Sequence, residues 1–226
     1  MKQNVIAIDG PAGAGKSTVA KKVAATLGFL YIDTGAMYRA VTSRVLDHAI
    51  DPADAKKISV VAEQIVVRFS QDGGILRVWA DGADVSEKIR TPQVTAAVAS
   101  ISQVPAVRHA MVRLQREMAA VGAVVLDGRD IGTVVAPNAC TKIFLTASVA
   151  ERARRRWLEM KAKGYDTDLT ELQNEMTQRD KQDTERELAP LVQAADAVLV
   201  DTSGMTIEAV VEKIIAVYCV QCDNHV

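Results

Sequence analysis

The sequence predicts an α/β fold: a doubly wound, five-stranded parallel sheet with helices on both faces, a small antiparallel β insert and a charged helical segment. Three observations lead there. Five short apolar runs, Val5–Asp9, Phe29–Asp33, Ala123–Asp127, Lys142–Thr146 and Ala197–Asp201, have the near-continuous hydrophobicity of buried parallel strands. Helical patterns separate them, at Ser17–Leu27, Ala36–His48, Pro105–Ala120, Ala150–Lys163, Thr170–Glu187 and Thr206–Tyr218, and that alternation winds a parallel sheet. Between Ile65 and Arg90 the period shortens toward two, with Gly73-Gly74 and Asp81-Gly82 as turn signals, which predicts the antiparallel insert.

Composition bounds the rest. The chain has 226 residues and is 49% hydrophobic, enough for a full core in one α/β domain. A net charge of −1 supplies no bulk basic field for nucleic acid or a membrane surface. No apolar run is long enough to span a bilayer. A strand begins by about residue 4, which leaves no room for a signal peptide. The cysteines, Cys140, Cys219 and Cys222, do not suggest a disulfide framework, so a reducing cytoplasm is the expected setting. Cys219-Val220-Gln221-Cys222 with His225 has the look of a metal-site fragment, but a single C-x-x-C at a chain end has little specificity.

The first apolar run feeds into Gly10-Pro11-Ala12-Gly13-Ala14-Gly15-Lys16-Ser17-Thr18, a G-x-x-x-x-G-K-[ST] pattern. Its glycines let backbone N–H groups turn toward phosphate oxygens, Lys16 adds a charge, and the Ser17 hydroxyl suits Mg²⁺. The helix that follows points the positive end of its dipole at the same place. Strand, loop and helix in that order predict a nucleoside triphosphate site.

Other motifs fall at the ends of the next strands. The second run ends Asp33-Thr34-Gly35-Ala36-Met37-Tyr38-Arg39, where Thr34 is expected to cap a helix from about Ala36. Arg39, in the first turn, suits a second phosphate group, although a capped helix with a solvated arginine would read the same way. The third ends Leu126-Asp127-Gly128-Arg129-Asp130, with Asp127 where a Mg²⁺-serving acid sits. Arg129 and Asp130 cannot pair with each other along one face, so both are expected to point into the crevice. Arg179, Asp183 and Arg186 share one face of a later helix, and Arg152, Arg154, Arg155 and Arg156 cluster on another. Each charge run also fits a plain solvated face.

Together these motifs resemble the nucleoside monophosphate kinases, most closely the bacterial-type cytidylate kinases, essentially from end to end. The resemblance is carried by Ile6-Ala7-Ile8-Asp9-Gly10-Pro11, Asp33–Arg39, Ile89-Arg90-Thr91, Pro105-Ala106-Val107-Arg108 and Asp127–Val135. It continues through Lys142–Ala147, the arginine cluster, Arg179–Arg186 and Ala189-Pro190-Leu191. It implies one P-loop kinase domain with a core at 1–35, 121–150 and 189–226. A monophosphate-binding region with the β insert would fall at about 36–120, and a helical lid with the helix after it at about 151–188.

The resemblance also implies roles. Gly10, Pro11, Ala12, Gly13, Ala14, Gly15, Lys16, Ser17 and Thr18 would cradle ATP. Mg²⁺ would be served by Ser17, Asp33 and Asp127. Lys16, Arg129, Arg155 and Arg156 would stabilise the transferring group. Thr34, Tyr38, Arg39, Ser100, Arg108, Arg129, Asp130, Arg179, Asp183 and Arg186 would hold CMP or dCMP, with Arg108 and Asp130 reading the cytosine edge. Two departures stand out: Ala99 occupies the position of a family serine, with Ser100 beside it, and Lys181-Gln182 stands where many members carry a further arginine. A cytoplasmic monomer of pyrimidine metabolism, with neither a nucleic-acid nor a membrane partner, is the implied protein. A P-loop kinase of another phosphorylated acceptor is the alternative. A switch-type NTPase is disfavoured, because no N-K-x-D base-reading motif is present.

Overall fold

The computed structural model describes residues 3–72, 75–162 and 164–222, and the chain divides into two compact units. Residues 1–31 with 119–226 form the first and residues 32–118 the second. The central sheet has the order β2-β6-β1-β7-β8, from β1 (Gln3–Asp9), β2 (Leu30–Asp33), β6 (Val124–Gly128), β7 (Ala139–Thr146) and β8 (Val198–Asp201). All five strands correspond to the expected apolar runs. β1 pairs in parallel with β6, where Asp9 meets Gly128, and with β7, where Asp9 meets Phe144. The carboxyl ends of β1 and β6 therefore finish level, and β7 runs two residues further, to Thr146. From β1 the chain builds β2 and β6 on one side, then β7 and β8 on the other. The carboxyl end of β1 is thus the topological switch point, where ligands of open α/β sheets collect.

Helices α1 (Lys16–Leu27) and α8 (Ile207–Cys222) lie side by side on this sheet, α1 against β6 and α8 against β7. α1 ends where Gly28 takes a left-handed conformation and donates to the carbonyls of Ala24 and Ala25. α6 (Val149–Ala162) and α7 (Leu169–Glu185) pack together through Ala153, Leu172 and Met176, with Val149 and Trp157 at the margin.

In the second unit, α2 (Thr34–Asp47) packs against α4 (Pro92–Ile101), α3 (Ala55–Gln64) and the antiparallel sheet of β3 (Val67–Asp72), β4 (Ile75–Ala80) and β5 (Ala83–Asp84). The insert is therefore as expected. Its Gly73-Gly74 turn lies outside the described residues, as does His225. Asp81 and Gly82 both have positive φ, as a tight hairpin turn with the strands' twist requires. Asp81 also accepts from Arg44 Nε and from the Val66 N–H, which ties the turn to α2. α5 spans Pro105–Ala120, with the limits its spacing predicts. α3 and α4 were not expected. In α4 only Val94 and Ile101 are buried, so two residues seven apart carry its inward face and the other apolar side chains blur it.

Two expectations need correction. Asp33, not Thr34, caps α2: its carboxylate accepts from the Ala36 N–H at 2.8 Å, and Thr34 is the first helical residue. The reading that the cysteines form no disulfide also fails. Cys140 at the start of β7 is bonded to Cys222 at the end of α8, 82 residues on, which leaves Cys219 free and exposed. α8 runs four residues past its predicted end at Tyr218 and so carries Cys222 to β7. Denatured without reductant, the protein should expose one thiol to a colorimetric thiol reagent, and all three after reduction. Cys140→Ser should cost roughly 2–4 kcal/mol in a denaturant titration.

Candidate active site

The loop between β1 and α1 has its shape imposed from several sides. Gly10 has φ +146, and a Cβ there would lie 1.9 Å from the Leu145 carbonyl oxygen. Gly13 and Gly15 also have positive φ, which leaves glycine as the natural residue at all three. The loop carbonyls are held by side chains: Pro11 O accepts from Lys16 Nζ at 2.7 Å, Ala12 O from Arg152 Nη1 at 2.9 Å and Ala14 O from Thr202 Oγ1 at 3.4 Å. In a trans peptide the N–H lies opposite the C=O, so the N–H groups of Gly13 and Gly15 face away from Arg152 and Thr202. That is the geometry of an anion cradle.

Lys16 is buried, and its ammonium pKa is held well below the ordinary lysine value. Loss of hydration is the main cause and the nearby Arg129 guanidinium the next, opposed by Asp127, Asp9 and Asp183. A bound phosphate oxygen would supply the missing counter-charge.

Asp127, at the end of β6, accepts from Ser17 Oγ at 2.8 Å on one oxygen and from Tyr31 Oη at 2.7 Å on the other. A carboxylate beside a hydroxyl at the phosphate loop fits Mg²⁺, a hard cation that uses few protein oxygens and takes the rest from phosphates and water. The described residues contain no group of three or more His, Cys, Asp or Glu side chains that could cage a metal. Asp33, also expected to serve the metal, caps α2 and pairs with Arg39 at 3.3 Å.

Next to Asp127 the sequence motifs join in one network. Arg129 Nε donates to Asp183 at 2.7 Å, and Arg186 lies 3.8 Å from the same carboxylate and 3.5 Å from Asp130. Arg186 lies just past the end of α7 as its C-cap rather than on its face, and its Nε donates to Ala189 O. Burial by itself would raise the Asp183 pKa, but the Arg129 charge and hydrogen bond, with Arg179 and Arg186, outweigh it and hold the carboxyl below its usual range. Arg179 itself is exposed.

The arginine cluster on α6 separates into different roles. Arg155 is bound to Glu151 and to Thr202, through its hydroxyl at 3.0 Å and its carbonyl at 2.8 Å. Arg156 pairs with Glu159 at the surface. Arg152 was named only as a member of the cluster, with no role of its own. It is 3% exposed, donates to the Ala147 and Ala12 carbonyls, and makes a two-pronged pair with Asp180. The signal was present: Arg152 sits beside Ala153, the α6 residue buried against α7. Tyr31 was also missed, as the last-but-two residue of a strand read only for its hydrophobicity.

In the second unit, Arg108 is buried with its guanidinium 5.5 Å from the centre of the Tyr38 ring, a cation–π arrangement. Thr34 is buried at the head of α2. Ser100 is exposed on α4, and its hydroxyl donates to the Ala97 carbonyl of its own helix.

Two outcomes are expected. Gly10→Ala should abolish nucleoside triphosphate binding and destabilise the fold by about 2–4 kcal/mol, measured by ligand titration and thermal melting. Triphosphate binding should take up protons over the pH range in which unliganded Lys16 is partly neutral, because the anion raises a lysine pKa that burial has lowered. Calorimetry in buffers of different ionisation enthalpy should detect this uptake, and Lys16→Met should remove it.

A model of the family described as cytidylate kinase matches residues 6–219. The chain is similar to a cytidylate kinase of Pelotomaculum thermopropionicum, 55% identical over 212 residues that cover 93% of this chain and 94% of that one. It is also similar to one of Desulfitobacterium hafniense, 50% identical with 96% and 94% covered, and to one of Caldicellulosiruptor bescii, 47% identical over the full length of both. Among solved structures, a gluconokinase of Sinorhizobium meliloti aligns at a TM-score of 0.48 and 15% identity, covering 98% of this chain and 95% of that one. With the family's pattern matched along nearly its whole length, on a parallel sheet whose switch point carries a phosphate loop, the chain belongs to the cytidylate kinase family.

Proposed function

We propose that this protein transfers the γ-phosphoryl group of ATP to CMP or dCMP, giving ADP and CDP or dCDP. The observation that carries the reading is the continuity, within the first unit, of the phosphate loop, the Ser17–Asp127 pair and the Arg129–Asp183–Arg186–Asp130 network. A donor phosphate site thus adjoins groups suited to a phosphorylated, amine-bearing acceptor. The names of the relatives support the same substrate.

The acceptor oxygen belongs to a phosphate that is already anionic, so the reaction needs no dedicated general base. Charge stabilisation and alignment are what the protein must supply. Residues 10–18 would hold the ATP phosphates through loop N–H groups, with Lys16 on the outer oxygens and Arg155 and Arg156 answering the charge that spreads during transfer. Ser17 and Asp127 would hold Mg²⁺, which when bound neutralises phosphate oxygens and fixes their geometry. Arg129 would hold the acceptor phosphate, and Asp183, Arg179 and Arg186 its sugar and phosphate. Asp130 would accept from the cytosine amine. In the second unit, Arg39 and Thr34 would serve the acceptor phosphate, Tyr38 and Ser100 would line the acceptor, and Arg108 would donate to the ring acceptors of cytosine. A carboxylate suits the amine donor of such a base edge and an arginine its acceptors. Action as a cytoplasmic monomer on free nucleotides, with no nucleic-acid or membrane partner, completes the proposal. No helix among the described residues is long and apolar enough to cross a membrane.

An ADP-release assay with ATP and Mg²⁺, offering CMP, dCMP, UMP, AMP, GMP and dTMP in parallel, tests this. Turnover should be strong with CMP and dCMP, weak with UMP and absent with purines. Arg129→Ala should lower kcat/KM for CMP by about 100-fold or more. ATP binding without any acceptor-stimulated turnover would overturn the proposal.

A further inference from the structure

Asp9 has no part in the scheme above, yet it is among the most heavily engaged carboxylates of the first unit. It ends β1, immediately before the phosphate loop, and is buried. One oxygen accepts from the Ile131 N–H at 2.8 Å and the other from the Gly132 N–H at 2.7 Å, more than 120 residues away. Those two groups open a single wide helical turn, Ile131–Val135, in which Val134 and Val135 donate back to the Asp130 carbonyl. The first N–H groups of such a turn have no partner within it, and Asp9 supplies one for both. The turn begins two residues after Arg129 and directly after Asp130. Gly132 permits the approach: a Cβ there would come within 3.4 Å of Asp9 Oδ2 and 3.2 Å of Lys142 Cδ.

We infer that Asp9 is a positioning residue for the acceptor nucleotide, acting through the Ile131 and Gly132 amides to hold Arg129 and Asp130 in place. The inference rests on the acceptor roles proposed above. The phosphate loop has its own supports in Arg152, Thr202, Lys16 and the packing of Gly10 on Leu145, so loss of Asp9 should fall on the turn. The groups facing the carboxylate agree with this assignment. Burial pushes the Asp9 pKa up to about 6, with Asp130 adding to the rise, while the Gly132 and Ile131 N–H bonds and Lys16 oppose it. Asp9 and Asp130 thus repel each other across the turn, and the two amide bonds hold them in that arrangement.

The test is steady-state kinetics on the full chain for wild type, Asp9→Asn, Arg129→Ala and the double variant, with CMP and ATP each varied at saturating partner. Asn keeps the shape but replaces one acceptor oxygen with a donor that opposes an amide. Asp9→Asn should raise KM for CMP about tenfold while KM for ATP changes by less than about twofold. Because Asp9 acts in part through Arg129, Asp9→Asn should raise KM for CMP less in the Arg129→Ala background than in wild type. Gly132→Ala crowds the same contact without touching the phosphate loop and should give the same CMP-selective rise, so the test survives if Asp9→Asn fails to fold. Equal rises in both KM values, or effects that simply multiply in the double variant, would overturn the inference. Absence of CMP-dependent turnover in wild type would instead overturn the function on which it rests.

Discussion

The backbone between Asp9 and Lys16 sets the terms for the rest of the first unit. An anion cradle needs peptide N–H groups that face a common point, and those peptides cannot then bond to each other as they would in a helix or sheet. Their carbonyls must be satisfied from elsewhere: two donors come from distant parts of the chain, Arg152 on α6 and Thr202 after β8, and a third, Lys16, from the start of α1. Each donor is held in turn. Arg152 is paired with Asp180 on α7, and Thr202 is bound by Arg155 while its backbone N–H donates to Thr146 O at the end of β7. The loop is therefore the common support of elements that are far apart in sequence.

Charge is arranged by the same logic. A buried ion is costly unless paired, and removing one member of such a pair leaves the other uncompensated. Around the phosphate loop the ions alternate in sign: Asp130, Arg186, Asp183 and Arg129 form one chain, with Lys16 beside it. The arrangement holds Asp183 ionised and leaves Lys16 short of counter-charge. A cation deprived of hydration and repelled by Arg129 is a favourable partner for an entering phosphate, because its own desolvation has already occurred. The network is thus stable without ligand yet biased toward an anion.

Much of this was legible in the chain. The phosphate loop, the acid at the end of β6, the adjacent Arg129 and Asp130 and the charges near residue 183 each stand at a strand or helix end with the spacing their chemistry needs. Partner choice was less legible. Arg152, Arg154, Arg155 and Arg156 look alike as letters, yet one is buried under the loop, one binds Thr202 and two pair with neighbouring glutamates at the surface. Thr34 and Asp33 are both good caps, and the strand's end at Asp33 decided between them. The pairing of Cys140 with Cys222 depends on how far α8 runs, and helix ends are the least certain feature of any hydrophobic pattern.

The sequence by itself determined the parallel sheet, the antiparallel insert and the phosphate loop, because each rests on local periodicity or on residue types at fixed spacing, and its ordered motifs carried the resemblance to the kinase family. Tertiary structure alone decided which donor holds which loop carbonyl, that Asp9 reaches the Ile131 and Gly132 amides, that Tyr31 and Ser17 share Asp127, and that Arg186 reaches Asp130 from beyond its helix. Those contacts join residues from about fifty to more than a hundred positions apart. No local pattern encodes them; they follow from the strand order and register that bring the carboxyl ends of β1 and β6 together.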